Sequence, residues 1–163
     1  VQFPAARPET ISYLIMKRPI KVMVFGTFDL LHPGHLNFLL QARQLGDRLI
    51  VSVARDLNVF RVKGQRPMHP EKQRQKNLSL LPVVDKVVLG GLKNPMPHIL
   101  KERPDIIALG YDQKNYLGKD GRRAVAELEQ ILMQHGLNKV RVIRLKPHWP
   151  EIYKSELIRA QLN

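Results

Sequence analysis

Five short apolar segments alternate with helical patterns along most of the chain, and this alternation restricts the possible fold more than any other feature of the sequence. Each segment is rich in Val, Ile and Leu, which indicates a strand that is buried on both faces. Strands separated by helices favour parallel pairing through right-handed crossovers. The sequence therefore predicts an α/β fold: a Rossmann-like, doubly wound five-stranded parallel sheet with helices on both faces.

The predicted elements follow one another without an internal repeat or a low-complexity segment. The strands are predicted over Lys21 to Phe25, Arg48 to Ala54, Val84 to Leu89, Asp105 to Leu109 and Val140 to Leu145. The helices are predicted over Pro33 to Leu45, Pro70 to Leu81, Pro95 to Glu102, Arg122 to Gln134 and Ser155 to Leu162. Because such sheets bind ligands at the carboxyl ends of their strands, we expect the site in the loops after strands one, two and four.

The first fifteen residues lie outside this alternation. We expect residues 1–15 to be an N-terminal extension and residues 16–163 to form a single domain with one core. The sequence contains no run of 18 apolar residues, no signal-peptide pattern and no cysteine. These features predict a cytoplasmic protein without disulfides.

The chain is strongly basic, with 27 Lys and Arg against 14 Asp and Glu and a formal net charge of +13. A positive field of this kind attracts phosphate groups. The basic residues are scattered rather than collected in a tail, and aromatic residues make up only 6% of the chain. We therefore do not expect nucleic acid as the partner, although a non-enzymatic nucleotide or nucleic-acid binding module stays open as an alternative to an enzyme.

Two histidines follow the first strand at the start of the first predicted helix. His32 and His35 are three residues apart, so they point the same way on a helical turn. A helix N-terminus presents unpaired N–H groups and a partial positive charge. Together these groups suit an anion whose charge grows during reaction, such as a triphosphate. The candidate catalytic residues are His32 and His35, and the candidate nucleotide-binding residues around them are Gly26, Thr27, Phe28, Asp29 and Gly34.

Two other loops carry candidate site residues. A basic loop from Ala54 to Pro67 follows the second strand, and either Arg61 or Lys63 could neutralise charge on the phosphates. After the fourth strand come Gly110, Tyr111, Asp112 and Gln113. The ring and hydroxyl of Tyr111 and the carboxylate of Asp112 suit contacts to a ribose, a base or a polar acceptor.

The string from Gly26 to His35, GTFDLLHPGH, resembles the first motif of the HIGH-motif nucleotidyltransferases, the cytidylyltransferase-like superfamily. The string from Gly110 to Gln113, GYDQ, is similar to that of the archaeal-type FAD synthases within it. The resemblance implies transfer of AMP from ATP to FMN with release of pyrophosphate, with Mg²⁺ bound to the phosphates. A CTP-dependent enzyme acting on glycerol 3-phosphate or an amino-alcohol phosphate stays open as the alternative.

The resemblance also implies roles for residues outside the first motif. The C-terminal run from Ile152 to Ile158 is similar to the family's phosphate-binding motif, which makes Lys154 and Ser155 nucleotide-binding candidates. Tyr153 and Lys154 replace two small hydroxyl residues there, which predicts weaker nucleotide binding unless Lys154 compensates. Arg74 matches a family arginine that supports the acceptor side or a subunit interface, and a homodimer is implied.

Overall fold

The computed structural model describes residues 18–113 and 121–148, together with Ala160. Its strands form one parallel sheet in the order β3-β2-β1-β4-β5. The strands are β1 Lys21–Gly26, β2 Arg48–Val53, β3 Lys86–Leu89, β4 Ile106–Leu109 and β5 Arg141–Arg144. The central strand β1 pairs Val22 with Leu49 of β2 on one side and with Ile106 of β4 on the other. This arrangement confirms the predicted doubly wound sheet.

Helices cover both faces of the sheet, with a separate apolar core under each face. The described helices are α1 Pro33–Arg43, α2 Asp56–Lys63, α3 Glu71–Ser79, α4 Met96–Glu102 and α5 Gly121–Gln134. Buried Leu39 of α1 and Leu78 of α3 belong to one core. Buried Ile99 of α4 and Leu128 and Leu132 of α5 belong to the other. None of the helices in the described residues is long and apolar enough to span a membrane.

Helix α2 corrects one prediction, because the segment after β2 was expected to be a basic loop. Residues Asp56–Lys63 are helical, and Gly64 ends the helix with a φ of 72°, a left-handed conformation that glycine adopts readily. Val59 is its one buried residue, so the segment lacks the apolar stripe by which amphipathic helices are identified. The predicted helix from Ser155 to Leu162 and the predicted extension over residues 1–15 fall outside the described residues, Ala160 excepted.

The chain reverses direction across the sheet at β1. It runs outward from β1 through β2 to β3, and then returns to place β4 on the other side of β1. The carboxyl ends of β1 and β4 therefore lie side by side, with a crevice where the two winding directions meet. The loops after β1, β2 and β4 meet at this edge, which is where the sequence predicted the site.

Candidate active site

A stacked pair of histidines stands at the start of α1. The ring centroids of His32 and His35 are 3.8 Å apart, with 25° between the ring planes. His32 is the N-cap residue of α1, and its carbonyl accepts from the backbone N–H of His35 at 2.9 Å. Its Nδ1 accepts from the same N–H at 3.4 Å, which places the proton of the neutral ring on Nε2. The predicted convergence of the two imidazoles is thus present in the structure.

Phe28 holds His35 from the other side. Its ring lies 5.3 Å from the His35 ring and is almost fully buried. The backbone of Phe28 has a φ of 51°, which is uncommon for a bulky residue. A Cβ on Gly26 would lie 2.6 Å from Cε2 of Phe28, so only glycine fits at the end of β1. Gly26 and Phe28 thus shape the turn that delivers the histidines, while their predicted contact with a nucleotide stays a prediction.

Both histidines are neutral in this environment. Burial, the neighbouring His32 and the charge of Lys63 lower the pKa of His35 to about 3, although the Leu30 backbone acts in the opposite direction. Burial also lowers the pKa of His32. The Nδ1 atom of His35 is buried without a hydrogen-bond partner among the described residues. An anion placed beside this pair would favour protonation of the rings.

Lys63 and Arg61 take different positions, which separates two candidates that the sequence left open. Lys63, at the end of α2, lies close enough to His35 to lower its pKa. Arg61 instead donates from Nη1 to the carbonyl of Leu92 at 3.3 Å and to Oδ1 of Asn58 at 3.5 Å. The structure therefore places Arg61 against the loop after β3, while the phosphate contact predicted for Arg61 or Lys63 stays a prediction.

Arg74 is the buried centre of the loops around the site. Its side chain is fully buried, and its guanidinium donates to the carbonyls of Thr27 at 2.5 Å, Ala54 at 2.8 Å and His69 at 3.0 Å. It also pairs with Oδ1 of Asp56 at 2.6 Å. A side chain this enclosed makes no direct contact with an acceptor, so any support that it gives to the acceptor side acts through the loops that it holds, and that expectation stays a prediction. Arg74 instead fixes the loops after β1 and β2 relative to α3.

Asp29 is buried and binds the backbone of the loop that precedes α3. Its carboxylate is buried and accepts from the backbone N–H groups of Met68 and His69, both at 2.8 Å. Sequence reasoning gave His69 no part, yet its Nδ1 also lies 2.9 Å from the Asp29 carbonyl. These contacts tie the residues before α3 to the turn after β1. The predicted nucleotide contact of Asp29 stays a prediction, since both carboxylate oxygens already accept.

The loop after β4 is fastened to the end of β1. Gln113 accepts from the N–H of Gly110 at 2.8 Å and donates to the carbonyl of Phe25 at 2.6 Å. Arg144, which sequence reasoning did not single out, donates to the Gly110 carbonyl at 2.8 Å. Tyr111 is half-buried and Asp112 is exposed on this loop. Gln113 therefore sets the position of the loop, and Asp112 is its most exposed member.

The remaining candidates are Thr27, Gly34, Lys154 and Ser155. Thr27 contributes its carbonyl to Arg74, and Gly34 lies in the first turn of α1. Lys154 and Ser155 lie outside the described residues. Within the described part of the chain, no three His, Cys, Asp or Glu side chains group closely enough to hold a metal ion.

Comparison with known proteins points to one kind of enzyme. Residues 23–161 match the sequence model of a family described as cytidylyltransferase-like. An FAD synthase of Archaeoglobus profundus is 46% identical over 127 residues, which cover 78% of this chain and 75% of the relative.

Solved structures agree with the fold. A lipopolysaccharide core biosynthesis protein from Thermoplasma volcanium superposes with a TM-score of 0.71 at 38% identity, over 80% of this chain and 99% of that one. A protein of unknown function from Archaeoglobus fulgidus superposes with a TM-score of 0.60 at 20% identity, over 78% of this chain and 90% of that one. This second likeness concerns the fold alone.

Proposed function

The chain belongs to the cytidylyltransferase-like family, and from this membership we propose that it is an FMN adenylyltransferase, which joins FMN to the AMP part of ATP and releases pyrophosphate. The observation that carries the proposal is the stacked pair of His32 and His35 at the N-terminus of α1, beside the loop after β4. The 46% identity to an FAD synthase favours ATP and FMN among the substrates that the family could take.

The reaction requires one bond to form and one to break. A phosphate oxygen of FMN attacks the α-phosphorus of ATP, and the bond from that phosphorus to the bridging oxygen of pyrophosphate breaks. The attacking oxygen is already anionic, so no general base has to remove a proton. The two electrons of the broken bond leave with pyrophosphate. Catalysis then consists of positioning the two anions and stabilising the charge that develops between them.

The histidine pair and Lys63 supply that stabilisation. Nε2–H of His32 is a donor in the neutral ring, and His35 can gain a proton as the triphosphate approaches. Lys63 adds a positive charge next to them. Backbone N–H groups in the first turn of α1 add the partial charge of a helix N-terminus. Of the two basic candidates in this segment, we favour Lys63 as the phosphate ligand, because the Arg61 side chain is engaged by Leu92 and Asn58.

The nucleoside would lie against the loop from Gly110 to Gln113. Gln113 and Arg144 fix this loop, so Tyr111 and Asp112 can present a ring and a carboxylate to the base and ribose. We assign Lys154 and Ser155 to the distal phosphates, as the sequence pattern indicates. Mg²⁺ would arrive with ATP, held mainly by phosphate oxygens, and would offset their charge. A homodimer is also part of this proposal, and light scattering would test it against the 18.8 kDa mass of one chain.

The experiment is a substrate matrix with the purified chain. ATP and CTP are each combined with FMN, glycerol 3-phosphate and phosphocholine, and pyrophosphate release is followed. We expect ATP with FMN to turn over fastest, and label in the α-phosphate of ATP to appear in FAD. A preference for CTP with another acceptor would assign the chain to a cytidylyltransferase, and nucleotide binding without turnover would support a non-enzymatic module.

A further inference from the structure

A recess of about 320 Å³ opens beside α2, in a part of the molecule that the transfer chemistry above does not use. Its apolar lining consists of Leu57 and Phe60 of α2 and Leu92 of the loop after β3, and its polar lining consists of Arg55, Asp56, Arg66 and Glu71. Leu57 and Phe60 are three residues apart and therefore share one side of the helix. The volume falls in the range of small-molecule sites.

The apolar residues of this recess are unusually exposed for their size. Leu57 is 46% exposed, Phe60 47% and Leu92 47%. Adjacent exposed apolar side chains that line a concavity mark a binding surface more often than isolated ones do. An aromatic ring on such a wall offers a face against which a planar ligand can stack.

The walls of the recess are held in place. Asn58 donates to the carbonyl of Gly91 at 2.8 Å, and Arg61 donates to that of Leu92 at 3.3 Å, so the loop after β3 is fixed to α2. Glu71 accepts from the backbone N–H of Asp56 at 2.8 Å, and Asp56 accepts from that of Glu71 at 3.1 Å, which joins the starts of α2 and α3. The recess is therefore formed before any ligand arrives.

Both carboxylates that line the recess are paired, which leaves one of its arginines available to an anionic ligand. Glu71 pairs with Arg55 at 3.2 Å and Asp56 pairs with Arg74 at 2.6 Å, whereas Arg66 has no ion-pair partner among the described residues. Lys63 follows Phe60 by three residues on α2, so the two side chains share one side of the helix. A ligand that extends from the recess along α2 would thus meet an apolar surface first and the charge of Lys63 beyond it.

We propose that the recess of Leu57, Phe60 and Leu92 binds the isoalloxazine ring of FMN, with the ring against Phe60 and the phosphate directed toward Lys63 and the histidine pair. The inference rests on the proposed function, because it identifies the acceptor subsite of that reaction. FMN combines a flat, largely apolar ring system with a charged phosphate on a flexible ribityl chain. That combination matches a recess with an apolar wall and an unpaired arginine in its lining.

The test compares Phe60→Ala with Val62→Ala. Val62 lies on the same helix, is 71% exposed and does not line the recess, so it is a matched control. FMN is titrated without ATP, and the quenching of flavin fluorescence gives the dissociation constant. We expect Phe60→Ala to weaken FMN binding about ten-fold, the effect of losing a base–aromatic stacking contact, and to weaken riboflavin binding by the same factor because the ring is shared. Val62→Ala should bind as the wild type does.

Steady-state kinetics separates this inference from the proposed function. With the inference correct, Phe60→Ala raises KM for FMN and leaves KM for ATP unchanged, and Phe60→Tyr restores the wild-type KM. If the wild type forms FAD while Phe60→Ala binds FMN as tightly as Val62→Ala does, the recess is not the flavin site and the proposed function stands. An equal loss of ATP and FMN binding in Phe60→Ala would also overturn the inference. A wild type that neither binds nor adenylylates FMN would overturn both.

Discussion

His35 is buried, and the proposed function gives it a catalytic role; two neighbouring rings fix its position. Phe28 packs on one side of the ring and His32 stacks on the other, so the imidazole is held in one orientation. Such fixed donors lower an activation barrier because they need no rearrangement as charge develops. The cost is an Nδ1 atom that is buried without a partner among the described residues.

Replacing His35 by Ala should lower kcat by about 10²–10³, the typical effect of removing one preorganised donor to a transition state. The matched control is His135→Ala, because His135 is exposed near the end of α5 and outside the site. Turnover of ATP and FMN by each variant is measured, together with thermal unfolding to verify the fold. Near-normal kcat for His35→Ala would remove this residue from the catalytic set.

Acid should destabilise the protein between about pH 6.5 and pH 3, mainly because His35 becomes protonated on unfolding in this range. Its pKa falls from an ordinary 6.5 to about 3 on folding, so the unfolded chain binds the proton more readily than the folded protein between these values. Stability is therefore fully present above pH 6.5 and is lost as the pH falls toward 3, by roughly 1 kcal/mol for each pH unit. Burial lowers the pKa of His32 and His98 as well, which adds to the loss.

Urea unfolding at pH 7 and at pH 5 measures this loss directly. His35→Gln cannot titrate, so its free energy of unfolding should fall less between the two pH values than that of the wild type. Equal losses in the two proteins would show that other groups cause the acid sensitivity.

At the scale of elements, one buried arginine connects three loops. Arg74 projects from α3 to carbonyls that follow β1 and β2 and to Asp56 at the start of α2. A fully buried cation is tolerated only because all these acceptors surround it. The geometry of the active-site loops therefore depends on a residue that makes no contact with a substrate in the proposed mechanism.

Arg74→Met should destabilise the fold by about 3 kcal/mol or more, because it leaves the Asp56 carboxylate and several buried carbonyls without their donor. Arg74→Lys keeps the charge but cannot reach as many acceptors, so it should recover only part of the loss. Lys72→Gln, an exposed change on the same helix, should stay within about 0.5 kcal/mol of the wild type. Chemical denaturation of the three variants gives the comparison. A stable Arg74→Met would mean that the loops are held by other contacts.

The sequence predicted the sheet and its helices well where burial controls the pattern. Strands β1 to β5 lie within the predicted segments or extend one residue beyond them, because apolar runs flanked by Gly and Pro mark buried strands. Helix α2 was missed because Val59 is its one buried residue. The partners of Arg74 could not be predicted either, because several are backbone carbonyls such as that of Thr27. Every residue has a backbone carbonyl, so the sequence does not show which of them will bind an arginine. Such contacts depend on which loops lie together in the folded protein.

For the whole molecule, the net charge of +13 adds a long-range effect to these local contacts. Both proposed substrates are anions, so the positive field should raise their rate of encounter with the site. Salt screens charges over about 8 Å at physiological ionic strength, and more strongly above it. Encounter should therefore weaken with added salt, whereas the closely packed histidine pair should be much less affected.

We accordingly expect kcat/KM for ATP and for FMN to fall about ten-fold between 0.05 and 0.5 M potassium chloride, with a smaller change in kcat. Reversing the charge of two exposed basic residues far from the histidines, Lys101→Glu with Arg141→Glu, should lower kcat/KM at low salt and flatten its salt dependence. Exchanging Lys101 and Arg141 for Gln serves as the control, because it removes less charge at the same positions and should have about half the effect. Binding of uncharged riboflavin, followed by fluorescence quenching, should vary little across the same range. A kcat/KM that is independent of salt would show that the positive field has no part in substrate capture, and that the local cations at the site act alone.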